Sequence, residues 1–230
     1  QQNFEKIPGC PIGYWVSEKM IEAMNGISIG DVTKVIAGLC TGDNAHFIFS
    51  WSEVNKDSIL FPNEDFVDKN FKVHNKGGDS RKWYGNQNLI VKYSSNSLPI
   101  LQSLEGFRND GKEYFYHESI SWAKIASSFN TFRYYPKGFV FDSAGSSIFE
   151  NRDNISRTLL GFCNSVIVKE MIKIINPTIN ASPGIIKKLP YPIDNKDIDK
   201  LVSENISISK SDWDAHETSW DFQENELVRL

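Results

Sequence analysis

Short apolar bursts closed by turn residues, with few long helical periods between them, dominate the first two thirds of this chain. That pattern most restricts the fold, because strands of this length bury a face only when several pair side by side. Val35 to Cys40 reads as a buried strand, and His46 to Trp51, polar and apolar by turns, as the strand paired with it. Lys72 to His74 and Leu89 to Tyr93 read as two arms around a loop. Tyr114 to Tyr116, Ile120 to Ile125, Phe132 to Tyr135 and Phe139 to Asp142 are four further strands. Ser127-Ser128, Pro136-Lys137-Gly138 and Ser143 to Ser147 separate them.

The pattern changes at Ile155. From there to Ile175 a broad apolar face recurs at helical spacing, and Asn176-Pro177 stops it. Ser17 is a plausible N-cap for a short helix over Glu18–Met24, followed by a turn at Ile29 to Val32. Ser97 to Gly106 reads as a short helix, Ile185-Ile186 as the start of an extended segment, and Asp194 to Asp212 as a second long helix. The fold expected is α+β: a largely antiparallel β body with a long scaffold helix and a helical C-terminal segment. Residues 1–30 form an irregular lead-in with a short helix, 31–193 the main domain, and 194–230 an acidic helical arm.

Charge separates these parts. The chain carries a formal net charge of −4, and residues 194–230 hold ten acids against four bases, a net of −6, which leaves +2 for the rest. A chain acidic overall does not coat nucleic acid indiscriminately. A local basic face still acts on its own, since charges are screened beyond about 8 Å at physiological salt. Three widely spaced cysteines, Cys10, Cys40 and Cys163, suit reduced thiols and hence the cytoplasm. The four histidines show no metal-site spacing, and no apolar run reaches the ~20 residues of a membrane helix. The start at Gln1, with neither an initiator Met nor a signal pattern, reads as a piece of something longer or a processed product.

The basic excess concentrates between Lys69 and Lys92, where Lys69, Lys72, Lys76, Arg81, Lys82 and Lys92 face one acid, Asp79, for a net of +5. At its centre lie Gly77-Gly78, Arg81-Lys82 and Trp83-Tyr84. Glycine lets the backbone turn and approach a ligand, cations bind phosphate, and aromatic rings offer stacking area. A loop so equipped suits nucleic acid. It equally suits a hairpin with solvated charges and core aromatics. Lys76, Arg81, Lys82 and the Gly77 and Gly78 amides are candidates for backbone or groove contact, with Trp83 and Tyr84 beside them. Asn86 and Gln87 are candidate readers of adenine. Lys124, Arg133 and Lys137 extend the basic surface; Arg133 and Tyr135 share a face of their strand, and in the other strand Ser119, Ser121 and Ala123 point one way and Ile120, Trp122 and Lys124 the other.

No reactive centre is legible. Asp142-Ser-Ala-Gly is a strand end and turn, and Asp110-Gly-Lys112 matches only half of a metal-dependent nuclease site. Asn176-Pro177 lacks the second proline and the aromatic that would hold a flipped base. No metal is expected. Two other classes stay open: a stand-alone carbohydrate- or peptide-binding module using the same aromatics, and a small nuclease built on Asp110.

Seven ordered blocks carry a resemblance. They are Ile7 to Ser17, Gly38-Leu-Cys-Thr-Gly-Asp-Asn44, Asn75-Lys-Gly-Gly-Asp-Ser-Arg-Lys-Trp-Tyr-Gly-Asn86, Ser121-Trp-Ala-Lys-Ile-Ala-Ser127, Gly138 to Phe149, Asn176-Pro-Thr-Ile-Asn180 and Asp212 to Phe222. Together they resemble the region that follows the catalytic domain in PglX-type proteins, the adenine-specific DNA methyltransferases of BREX phage-defence systems. More distantly they are similar to target-recognition domains of restriction–modification enzymes and of type I specificity subunits. The resemblance implies a target-recognition fold that selects, on double-stranded DNA, where a catalytic methyltransferase domain of the same protein modifies adenine N6. It places S-adenosylmethionine in that catalytic domain and no cofactor in this chain. The tryptophans of the acidic tail, Trp213 and Trp220, are expected to dock on this domain or on the rest of the protein, with the tail packing on a neighbouring domain, away from DNA.

Overall fold

A computed structural model describes residues 16–125, 130–150 and 155–229. The expected lead-in from Phe4 to Trp15 and the Ser127-Ser128 turn lie outside the described residues. Ser17 accepts from the Met20 amide (3.3 Å) and opens α1, Glu18–Met24, as the cap chemistry requires. Ile29–Val32, expected as a turn, closes into one helical turn, α2, because Asp31 bonds back to both the amide and the hydroxyl of Ser28. Strands β1, Thr33–Ile36, and β2, Leu39–Cys40, follow. Asp43 caps a helical turn, α3, Asn44–Phe47, so β3 begins only at Ile48 and ends at Ser50.

Next come β4, Ile59–Leu60, β5, Phe71–Asn75, and β6, Leu89–Lys92, then α4, Leu98–Ser103, and β7, Arg108–Asn109. Tyr114, expected in a strand, ends a 3₁₀ turn that begins at Lys112. Strands β8, Ser119–Trp122, β9, Phe132–Tyr135, β10, Val140–Phe141, and β11, Ser147–Glu150, complete the β portion. The helices that follow are α5, Arg157–Cys163, α6, Val166–Ile175, α7, Pro183–Ile186, α8, Lys196–Asp214, and α9, Glu226–Arg229. The fold is α+β, with sheets mostly antiparallel and a long C-terminal helix, as the pattern predicts.

Two expectations fail for a reason. The run Ile155 to Ile175 is two helices, not one. The Asn164 side chain is spent on the backbone of Phe132, accepting from its amide (3.0 Å) and donating to its carbonyl (2.9 Å), and Ser165 caps a new helix. Ile185-Ile186 are helical rather than extended, behind Pro183 at a helix start.

The strands form a four-stranded antiparallel sheet ordered β1-β11-β8-β9, a second sheet ordered β10-β5-β6-β3, with β4 also on β5, and a two-stranded pair of β2 with β7. β3 therefore pairs with β6, not with β1, and β5 takes β10 and β4 as parallel neighbours. In the first sheet the register Val35↔Ile148↔Ile120 and Trp122↔Phe132 puts the large apolar side chains on one face. There they meet Met24, Leu159, Leu160, Met171, Ile186 and Val202 from the helices. The other face carries Ser147, Ser121 and Arg133, small groups around one long cation, and this is the face that supports the loop between β5 and β6.

The C-terminal arm folds back on the β body. Trp220 packs on Phe61 (5.5 Å between centroids) and Phe139 (6.0 Å), and the Trp51 indole donates to the Thr218 carbonyl (2.9 Å). Trp220→Ala is expected to remove about 2 kcal/mol of packing and to release residues 215–229 to limited proteolysis before the body is cut. Equal protection of tail and body in the variant would show that the tail is held by other contacts.

Candidate functional site

The loop between β5 and β6 is built from the inside. Asn75, fully buried, donates to the Ser121 hydroxyl (2.7 Å) and the Gly145 carbonyl (3.2 Å) and accepts from the Gly77 amide (3.1 Å). Gly77 and Gly78 then take φ of +81° and +83°, the conformation that only glycine enters without strain. Arg133, 0% exposed on β9, reaches under the loop and donates to the carbonyls of Gly77 (2.7 Å), Asp79 (2.9 Å) and Arg81 (3.2 Å). Asn86 closes the loop across its mouth, donating to the Gly77 (3.3 Å) and Asp79 (2.8 Å) carbonyls.

The far side of the loop is clasped by the arm. Arg81 donates to its own loop at Tyr84 (2.8 Å), then to the Asp212 carboxylate (2.6 Å) and the Ser209 carbonyl (3.3 Å) of α8, and lies over the Trp213 ring at 5.2 Å. Gly85, at φ +117°, passes so close that a Cβ there would sit 2.4 Å from Arg81 Nε and 3.0 Å from Trp213. Lys82 donates to the Asn164 carbonyl (3.0 Å). Trp83 and Asn86 hold left-handed backbone at φ +69° and +56°. Trp83 is kept there by a bond from its amide to Phe132 and one to its carbonyl from Tyr134. Strain of this kind costs of order 1–3 kcal/mol and persists only where the surroundings enforce it.

This geometry corrects several expectations. Arg133 is an internal pillar, not an extension of a basic surface, because it is buried among loop carbonyls. Gln87 is 1% exposed, so its amide faces inward instead of toward a groove. Tyr84 is buried, and burial, with Asp214 and Asp221 nearby, pushes its hydroxyl well above the usual tyrosine range. Arg81 and Lys82 are engaged with α8 and with Asn164 rather than presented openly. Lys72 is buried too, bonded to the Lys69 carbonyl (2.5 Å) and Asp68 (3.3 Å), and burial lowers its pKa. Lys69 pairs with Glu64 at 2.9 Å. The tail is not remote from the loop; it is part of the loop's wall.

What remains at the surface is a cleft of about 540 Å³ lined by Lys76, Gly78, Asp79, Asn86, Asn88 and Trp213, among others. Lys76 reaches Asp142 at 3.1 Å, and Asp142 also meets buried His74 at 3.3 Å and the Ala144 amide at 2.7 Å. Burial works to raise the Asp142 pKa, but the His74 ring, the Ala144 amide and the Lys76 charge outweigh it and hold the carboxyl at about 2. Lys137 is exposed and Lys124 half-buried, and neither lines this cleft. Asp79, Asn88, Leu89 and Trp213 are the lining residues that residue types alone did not point to. The Asp212-Trp213-Asp214 block carried the signal but reads equally as an arm.

Asp110 sits half exposed beside Arg108 at 3.7 Å, and no group of three His, Cys, Asp or Glu side chains able to hold a metal occurs among the described residues. Asn176 makes a local turn with Thr178 and Asn180 after α6. No helix among the described residues is long and apolar enough to cross a membrane.

No protein-family model matches the chain. Over 99% of its length it aligns, at 34% identity, with 19% of the adenine-specific methyltransferase BrxX of Escherichia coli O9:H4 (strain HS). At 33% identity, again over 99% of its length, it aligns with 20% of the adenine-specific methyltransferase PglX of Lacticaseibacillus casei (strain Zhang). The chain is similar to one region of the BrxX and PglX methyltransferases. It spans about a fifth of the length of either relative. The similarity to BrxX and PglX thus takes in the β5–β6 loop, the Trp213 cleft and the arm together.

Proposed function

We propose that this chain is the DNA target-recognition region of an adenine-specific N6 DNA methyltransferase that acts in the cytoplasm in phage defence. It contributes no reactive group. A catalytic domain of the same protein binds S-adenosylmethionine, and this region sets which adenines in double-stranded DNA are presented to it. The similarity of almost the whole chain to a fifth of two adenine-specific methyltransferases carries this reading. The site chemistry supports it: the loop, strained at Trp83 and Asn86, brings Lys76 and the Asn88 side-chain amide to one cleft beside the Trp213 indole of α8. Amides read adenine edges, with each bidentate pair worth ~1–3 kcal/mol of discrimination.

The test is to map methylated adenines in cells carrying the full-length methyltransferase, intact or with Asn88→Ala or Lys76→Ala. Altered sequence preference with Asn88→Ala, and weakened methylation across all sites with Lys76→Ala, are expected, since base contacts specify while phosphate contacts only position. An unchanged map and unchanged extent in both variants would remove the cleft from DNA recognition.

A further inference from the structure

We infer that α8 carries a seam on its outer side that seats a helix from elsewhere in the same methyltransferase polypeptide; this rests on the recognition reading above, in which the region works beside a catalytic domain. A surface helix needs one apolar stripe to hold it to its core. In α8 that stripe is Val202, 3% exposed, with Ile206 packed against the same core. A further row, Ile198, Leu201, Asn205, Ile208 and Asp212, recurs at alternating steps of three and four residues. These are the a and d positions of a coiled-coil seam. Its three large apolar members are 39%, 59% and 68% exposed, so the body leaves the row uncovered.

The flanks of the row say what covers it. Asp197 and Glu204 stand at the g positions, exposed and without an ion pair among the described residues. Charges there select the partner, so the partner helix carries Lys or Arg along the facing edge. A second copy of this chain does not fit. Laid antiparallel it brings the same acids to that edge, where like charges repel. Laid parallel it sets Val202 and Ser209 there, and neither answers an acid. Two heptads are also short for free helices, which pair over about three or more. A helix on the same polypeptide is not so limited, because tethering raises its effective concentration. The matched region is only 19–20% of either relative, so about four fifths of each lies outside it, ample chain to supply the helix. The row ends at Asp212, whose carboxylate holds Arg81 at 2.6 Å, so a helix seated on it fixes the direction in which the loop faces the domain it comes from.

The experiment places the photo-cross-linking residue benzoylphenylalanine at Leu201 or Ile208 in the full-length methyltransferase, with exposed Lys200 on the polar side of α8 as control. Mass spectrometry identifies the captured peptide. Both seam probes are expected to capture one segment of the same polypeptide outside this region, within a single molecule, with apolar residues at heptad spacing and Lys or Arg beside them. Asp197→Lys/Glu204→Lys is expected to cut that capture several-fold, because both flanking pairs become repulsive. Capture of a second copy, of this region itself or of another protein, a yield no higher than at Lys200, or capture undiminished by the charge reversal would each overturn the inference. Those outcomes leave the recognition reading standing, since the adenine map of the Asn88→Ala and Lys76→Ala variants decides it separately. An unchanged map beside the expected capture would remove the recognition reading and keep the seam.

Discussion

Replacing Arg133 by alanine is expected to lower the stability of the chain by about 3–5 kcal/mol, which for a domain of this size is a fall in Tm of roughly 10 °C. The guanidinium is wholly enclosed, and its bonds go to carbonyls of Gly77, Asp79 and Arg81. Alanine leaves those acceptors in a space that water does not readily refill, and each unmet buried group costs about 1–3 kcal/mol. Lysine at the same position is expected to recover less than half of the loss, because one ammonium cannot span carbonyls that a planar fork reaches together. Thermal unfolding followed by circular dichroism checks this. A lysine variant as stable as the native chain would mean that the loop keeps its shape without the fork.

The second large effect is expected at Asp142. Its carboxyl is held at about 2 against an ordinary 3.8, so the folded state binds its proton less tightly than the unfolded state does. Stability from this group is then complete above pH 4 to 5 and is lost as pH falls through 3.8 toward 2, an amount of ~2 kcal/mol. Asp142→Asn removes the charge that faces Lys76 and His74 and is expected to cost about 3 kcal/mol at pH 7. The gap between native and variant should close on acidification, since the native chain loses the same interaction by protonation. Urea unfolding at pH 7, 4 and 2.5 measures it. Two curves that stay parallel across that window would show that Asp142 is not what makes this fold acid-sensitive.

Local chemistry was readable where it is decided by neighbours. Ser17 caps the helix it announces, and the two arms around Gly77-Gly78 are strands, paired in antiparallel register. The faces of β8 and β9 also follow from period two alone, down to Arg133 and Tyr135 lying together. What escaped the reading was decided across long separations. The apolar period runs unbroken through Asn164 and Ser165, yet the helix breaks there because Asn164 serves Phe132, 32 residues away. His46 and Phe47 alternate like a strand, but the Asp43 cap and the pairing of β3 with β6 override that pattern.

The candidate site shows the same division. Its residue types announced a glycine-hinged cationic loop, and the glycines do take left-handed backbone. Whether a cation faces solvent or folds inward depends on what lies opposite. For Arg81 that is Asp212, 131 residues on, and for Arg133 it is the loop's own carbonyls. Neither partner is marked by spacing or composition.

Because the rim formed by Trp213 and Asp212 belongs to a helix far along the chain, the stretch from Asn75 to Asn88 is not a cassette. Grafted alone into a relative, it would arrive without the surface against which Arg81 and Gly85 are seated. A chimera meant to keep the loop's shape has to carry the last turn of α8 as well. The shape of this loop is thus the joint property of two stretches more than 120 residues apart.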